Sequence, residues 1–185
     1  VIRVVTPGTV IEDTMLDEAK NNYLCAVNIT PSGLGVCFTD ASTGESHLTE
    51  ISGDDTAAHL ENELARFSPS EVLIPDIKIS PEIMGILSEK YTGALTKRAA
   101  ECFDTQKAND AICRTFKVIS PENLGLSAGS NSVGALGAVI DYLNENGRGS
   151  AVPLKTAEFY TQAQFMRLDM TAVRNLEICE TMRSK

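Results

Sequence analysis

Tyr23-Leu24-Cys25-Ala26-Val27-Asn28-Ile29, Leu34-Gly35-Val36-Cys37-Phe38-Thr39 and Glu45-Ser46-His47-Leu48-Thr49-Glu50-Ile51 are three short runs rich in β-branched and aromatic residues. Pro31-Ser32-Gly33 separates the first two and Ala41-Ser42-Thr43-Gly44 the last two, both turn-forming clusters. Gaps this short predict an antiparallel meander.

Downstream the period changes. Between Asp54 and Phe67, the residues Ala57, Leu60, Leu64 and Phe67 recur at helical spacing, with Asp54 or Asp55 placed to cap and Ser68-Pro69 to stop the helix. Glu71-Val72-Leu73-Ile74-Pro75 is a compact apolar run of the buried-strand kind. Ser80-Pro81-Glu82 has the order of a helix start: a capping hydroxyl, proline at the first helical position, then an acid favoured by the dipole. A strand is expected from Ala94 to Ala100 and a helix from about Asp104 to Phe116, with Ala108, Ala111, Ile112 and Thr115 on one side. A meander followed by alternating helices and strands is the element order of an RNase H-like α/β domain, a mixed sheet covered by helices.

Pro121 to Ser132 holds Gly125, Gly129 and serines without a sustained apolar period, so it reads as a linker and a domain boundary. Beyond it Val133, Leu136, Ile140 and Leu143 form an apolar helical stripe that ends at Asn146-Gly147 and needs a partner helix. An extended segment from Glu158 to Arg167 and a helix capped by Asp169 follow. The expected organisation is an α/β domain over 1–120, a joint over 121–132 with Gly125, Gly129 and Ser130 as its hinge, and a mostly helical partial second domain over 133–185.

The 185 residues include 43% hydrophobic and 22% charged residues, enough for one full domain and part of another. No uninterrupted apolar run is long enough to cross a bilayer, and the first residues lack signal-peptide order, so an intracellular, cytoplasmic location is expected. The chain starts without Met and in mid-pattern, the expected look of a piece of a longer protein. A net charge of −9 with Lys97-Arg98 as the only adjacent basic pair weighs against binding nucleic acid by phosphate contacts. Cys25, Cys37, Cys102, Cys113 and Cys179 form no Cys-x-x-Cys pair, and two histidines add little, so packing rather than zinc is expected.

Two stretches carry a family resemblance. Arg3-Val4-Val5-Thr6-Pro7-Gly8-Thr9-Val10, running through Leu16-Asp17 to Asn21-Asn22-Tyr23-Leu24-Cys25-Ala26-Val27, resembles the start of the connector domain of bacterial MutS proteins. Met166-Arg167-Leu168-Asp169-Met170-Thr171-Ala172-Val173-Arg174-Asn175-Leu176-Glu177-Ile178 resembles a motif of that family's core (lever) region. The resemblance implies an RNase H-like connector (domain II) over about 1–120 and the start of the core (domain III) beyond it. It also implies that residues Ala135 to Leu143 are the first helix past the connector. The implied role is DNA mismatch repair: a non-catalytic relay between the mismatch-binding and ATPase regions that contributes to recruiting MutL. DNA binding, ATP and magnesium binding, and dimerisation would belong to the full-length family through regions absent here, and the fragment itself is expected to be a monomer without cofactor or membrane contact.

The competing chemistry is nucleolytic. Phe38-Thr39-Asp40-Ala41-Ser42-Thr43-Gly44 resembles the first-strand segment of RNase H-like nucleases, and Asp76 is a second candidate metal carboxylate. Two-metal cleavage needs several convergent carboxylates, whereas Asp40 is equally suited to starting a turn. No Gly-rich loop ends in Gly-Lys-Ser/Thr and no Phe-x-Glu occurs, so neither nucleotide hydrolysis nor mismatch reading is expected. Phe159-Tyr160 offers adjacent aromatics for base stacking or for packing, and His47 and His59 are isolated. A freestanding acidic interaction module is the third class, favoured by charge alone.

Overall fold

The computed structural model describes residues 22–146 and 154–161. The predicted helix after Asp169 and the stretches 3–21 and 166–178 lie outside them.

The meander forms as its turns dictate. Strands β1 (Tyr23–Thr30), β2 (Gly33–Asp40) and β3 (Glu45–Ile51) pair antiparallel, Tyr23 opposite Asp40 and Leu34 opposite Ile51. β4 (Glu71–Pro75) lies parallel to β1, and β5 (Ala94–Arg98) parallel to β4. A sixth strand, β6 (Thr156–Phe159), runs parallel to β3 on the other edge, giving the order β5-β4-β1-β2-β3-β6. This is the expected mixed sheet, with the parallel strands added outside the meander.

Both faces of the sheet are covered. Residues of alternate parity point to opposite sides, so Leu24, Ala26, Cys37, Leu48 and Leu73 meet α3 (Thr105–Phe116) and α4 (Asn131–Asn146). Cys25, Val27, Val36, Phe38, Val72 and Ile74 meet α1 (Thr56–Phe67) and α2 (Pro81–Gly85), which continues as a π-helical turn through Lys90. Double coverage explains why the central strands read as near-continuous apolar runs.

The helix ends follow the local chemistry closely. Ser80 caps α2 through Ile83 N–H, with Pro81 in the first turn. The Asp104 carboxylate accepts from the amides of Gln106 and Lys107 at 3.1 and 2.9 Å. Asp104→Ala is therefore expected to lower stability by about 0.5–2 kcal/mol, read as a shift of the urea midpoint without a change in slope. Asp55 stands at the N-cap of α1, just before Thr56, but makes no side-chain cap bond, so the expected cap is there in place only. The strand expected to reach Ala100 ends at Arg98, and the chain turns into a short 3₁₀ segment, Ala100–Phe103.

The expected boundary at 121–132 needs correction. α4 does not stand beyond a joint in a second domain; it lies on β1, β2 and β3 and against α3. Eleven of its sixteen residues are buried, including Val133, Leu136, Ile140 and Leu143. The partner its stripe required is thus mainly the sheet. The segment before it is structured: Pro121–Leu124 is a 3₁₀ turn capped by Ser120, and Leu126 is buried in the same core. Gly125, Gly129 and Ser130 lie in the connection from α3 to α4 inside one α/β unit.

Candidate functional site

The two acids of the nucleolytic reading do not converge. Asp40 closes β2 opposite Tyr23, and Leu24 is level with Glu71 in β4. Asp76 follows Pro75 at the far end of β4, roughly 20 Å further along the strand direction at about 3.3 Å per residue. That separation corrects the nuclease alternative, because paired metals must be held by carboxylates within a few ångströms of each other. Asp40 instead builds its turn: one carboxylate oxygen accepts from the Ser42 amide at 2.8 Å and the Ser42 hydroxyl at 2.6 Å, while Gly44 N–H donates to its carbonyl. Asp76 is exposed and pairs with Lys97 at 3.3 Å. Among the described residues no three His, Cys, Asp or Glu side chains gather as metal ligands. Added manganese or calcium is expected to leave the melting temperature unchanged, and a metal-dependent rise abolished by Asp40→Asn would reverse this assignment.

A set of polar contacts marks where α4 docks. Asn28, Gly35 and Glu50 form one row across β1, β2 and β3, and each engages the start of α4. Asn28 Nδ2 donates to the Asn131 carbonyl at 3.1 Å. The Glu50 carboxylate accepts from Ser132 N–H at 3.2 Å, satisfying an orphan amide and complementing the positive end of the helix. Between them Gly35 presents bare backbone: a Cβ there would fall 2.0 Å from the Asn131 carbonyl carbon. Further along, Gly137 faces Ala108, so α3 and α4 approach as only small residues permit.

The other end of α4 is tied to the β4–β5 edge. Glu71 is buried at the start of β4, and its Oε1 accepts from Tyr142 Oη at 2.6 Å and Thr96 Oγ1 at 2.7 Å. Arg98 on β5 reaches Glu145 at 2.7 Å and Asp141 at 3.2 Å and lies over the Tyr142 ring. The hydrogen bond to Glu145 raises the Arg98 pKa and lowers that of Glu145. Beside this cluster an open cleft of about 390 Å³ lies between α3 and α4, its rim carrying Lys107 and Arg114 as well as Glu101, Asp110 and Asp141. Both signs on one rim suit a polar protein surface better than a polyanion.

The remaining predicted residues behave as packing. Cys25 and Cys37 are buried free thiols on opposite sheet faces, and burial pushes Cys37 up to about 12, so neither is a nucleophile near neutral pH. Phe159 is half-exposed on the edge strand while Tyr160 is buried, so the two do not form a shared stacking platform. Gly35 in a strand was the signal available for the α4 cradle, since a strand glycine often marks close backbone approach. Glu71 had no such signal.

The family model described as MutS domain II matches residues 22–155, from the start of β1 to the approach to β6 and through α4. The chain belongs to the MutS family. The DNA mismatch repair protein MutS of Syntrophomonas wolfei is 34% identical over 187 residues, covering 99% of this chain and 21% of the relative. Those of Alkaliphilus oremlandii and Nostoc punctiforme are 32% and 36% identical, covering 100% and 99% of the chain and again 21% of each relative. The chain thus spans about a fifth of the length of the curated MutS relatives it matches. The MutS domain II match also includes the helix assigned above from the sequence to the next domain, in agreement with its packing on the sheet.

Proposed function

We propose that this chain is the connector part of a MutS mismatch repair protein, non-catalytic in itself, which relays displacement between the mismatch-binding and ATPase regions and contributes to recruiting MutL. The observation that carries the reading is the cross-braced α/β unit inside the MutS domain II match. α4 is held at its start by Asn28, Gly35 and Glu50 and further along by Glu71 and Arg98. A relay must move as a body, and bracing a helix to five strands of the sheet favours that over internal deformation. ATP, magnesium and mismatched DNA would be handled by other regions of the full-length, dimeric and cytoplasmic protein, with this piece monomeric.

With α4 part of the connector, the core (lever) region starts later than residue 133, after β6. Gly125, Gly129 and Ser130 are then proposed as a point of give within the α3–α4 connection, not as a pivot between two bodies. Amides from Leu126 to Asn131 as protected against hydrogen exchange as those of the central strands would remove that role.

A pull-down with the amino-terminal and carboxy-terminal parts of MutL, paired with a nuclease assay in manganese, tests the whole reading. Retention of MutL without cleavage is expected. Cleavage by the purified chain, lost in Asp40→Asn, would replace the relay by an enzyme.

A further inference from the structure

Tyr23 opens β1 and Tyr160 follows β6, and two whole strands, β2 and β3, lie between those places in the sheet. Their side chains nevertheless share a partner. The ring of Phe67, in the last turn of α1, meets Tyr23 edge-on with centroids 5.2 Å apart and lies 6.1 Å from Tyr160. Phe67 is itself fixed by stacking on Phe38 at 4.1 Å.

The same helical turn holds Tyr160 by polar contacts. Tyr160 Oη donates to buried Glu63 Oε2 at 2.6 Å, and Arg66 lies 3.7 Å from that oxygen. The Arg66 guanidinium also covers both rings, 4.7 Å from the Phe67 centroid and 4.9 Å from that of Tyr160. On the β1 side, Ser70, just past α1, donates its amide to the Tyr23 carbonyl at 2.9 Å and its hydroxyl to Asn22 at 2.5 Å. One short stretch, Glu63 to Ser70, therefore grips the beginning of β1 and the end of β6 together.

We infer that the last turn of α1 is a coupling node: a displacement imposed at Tyr23 is passed through Phe67 to Tyr160, and the reverse, by a side-chain route over the sheet face that also takes in His47 of β3, 6.4 Å from Tyr23 and 5.7 Å from Phe67. Close-packed rings with few rotamers transmit strain instead of absorbing it. The inference rests on the relay reading for its purpose, while the coupling itself is a property of this chain and is measured without MutL or DNA.

The experiment is a double-mutant cycle of Tyr23→Leu and Tyr160→Leu, each removing a ring from Phe67, read by urea unfolding, in the original background and again in Phe67→Leu. Groups that share a partner are non-additive, so with Phe67 present the pair is expected to deviate from additivity by about threefold or more in the unfolding constant, and to become additive in Phe67→Leu. Hydrogen exchange of the Tyr160 amide, which donates to the Leu48 carbonyl, is the second readout. In Tyr23→Leu it should accelerate more than the amides paired between β1 and β2, and this stands even where Phe67→Leu fails to fold. Additivity in the original background, or Tyr160 exchange that merely follows the central strands, overturns the node. A chain that passes this test and fails to retain MutL keeps the node and loses the connector role.

Discussion

Replacing Gly35 by alanine is expected to destabilise the chain by about 3 kcal/mol or more, the upper end of the range for overpacking a core. The new methyl group would lie 2.0 Å from the carbonyl carbon, 2.2 Å from the oxygen of Asn131 and 2.3 Å from the nitrogen of Ser132, all main-chain atoms that no rotamer change can withdraw. α4 must then lift from β2, and lifting it breaks the bonds from Asn28 to the Asn131 carbonyl and from Ser132 N–H to Glu50. In a domain with about 5–15 kcal/mol of net stability that is a large share. Gly85→Ala is the control: nothing lies within 4 Å of its added methyl, it sits at the end of α2, and a neutral or slightly stabilising change is expected. Thermal melts that place Gly35→Ala and Gly85→Ala together would show that α4 is not seated on β2 as described.

Glu71→Ala should be nearly as damaging, for an electrostatic reason. The carboxylate is buried, and its loss takes that acceptor from the buried Tyr142 hydroxyl and from the partly exposed Thr96 hydroxyl. Taking an acceptor from a buried donor costs about 1–3 kcal/mol, so a loss of about 2–4 kcal/mol is expected once the emptied volume is included. Glu71→Gln keeps an accepting oxygen and should lose less. The triple replacement Glu71→Leu, Tyr142→Phe, Thr96→Val removes donors with acceptor and is expected to recover much of the loss, because a buried polar group is costly when unmatched rather than when absent. If Glu71→Ala melts like the parent chain, this network contributes little to holding α4 against the β4–β5 edge.

What could be read from the amino acids depended on how local the deciding contact was. The meander was legible because strand period, Pro31-Ser32-Gly33 and Ala41-Ser42-Thr43-Gly44 all act within a few residues. The start of α2 was legible for the same reason, Ser80 and Pro81 being sufficient for it. α4 was legible as a helix and misplaced as a neighbour. The Gly and Ser residues before it look like a flexible joint, yet Leu126 anchors that stretch in the core, and the small residues Gly134 and Gly137 are where Asn28, Phe103 and Ala108 come close. β6 is four residues, Thr156 to Phe159, with only Ala157 buried, and the extended segment expected from Glu158 to Arg167 meets it only at Glu158 and Phe159. The acids that matter divide the same way. Asp40 makes its turn with Ser42 two positions away, whereas Glu50 and Glu71 find partners on α4 that no local pattern could nominate.

The placement of β6 has a consequence for how the polypeptide is made. Leu48 and its neighbours on β3 present an open ladder edge as soon as the meander forms, and that edge is closed only by Thr156 to Phe159, at the far end of the described chain. On the ribosome the nascent unit therefore exposes an unpaired strand while α1, β4, β5, α3 and α4 are still emerging, the condition under which chains add to one another edge to edge. The polar residues Glu45, Ser46, His47, Thr49 and Glu50 on that strand make it a poor template for such pairing, a safeguard suited to the interval before its own partner is synthesised.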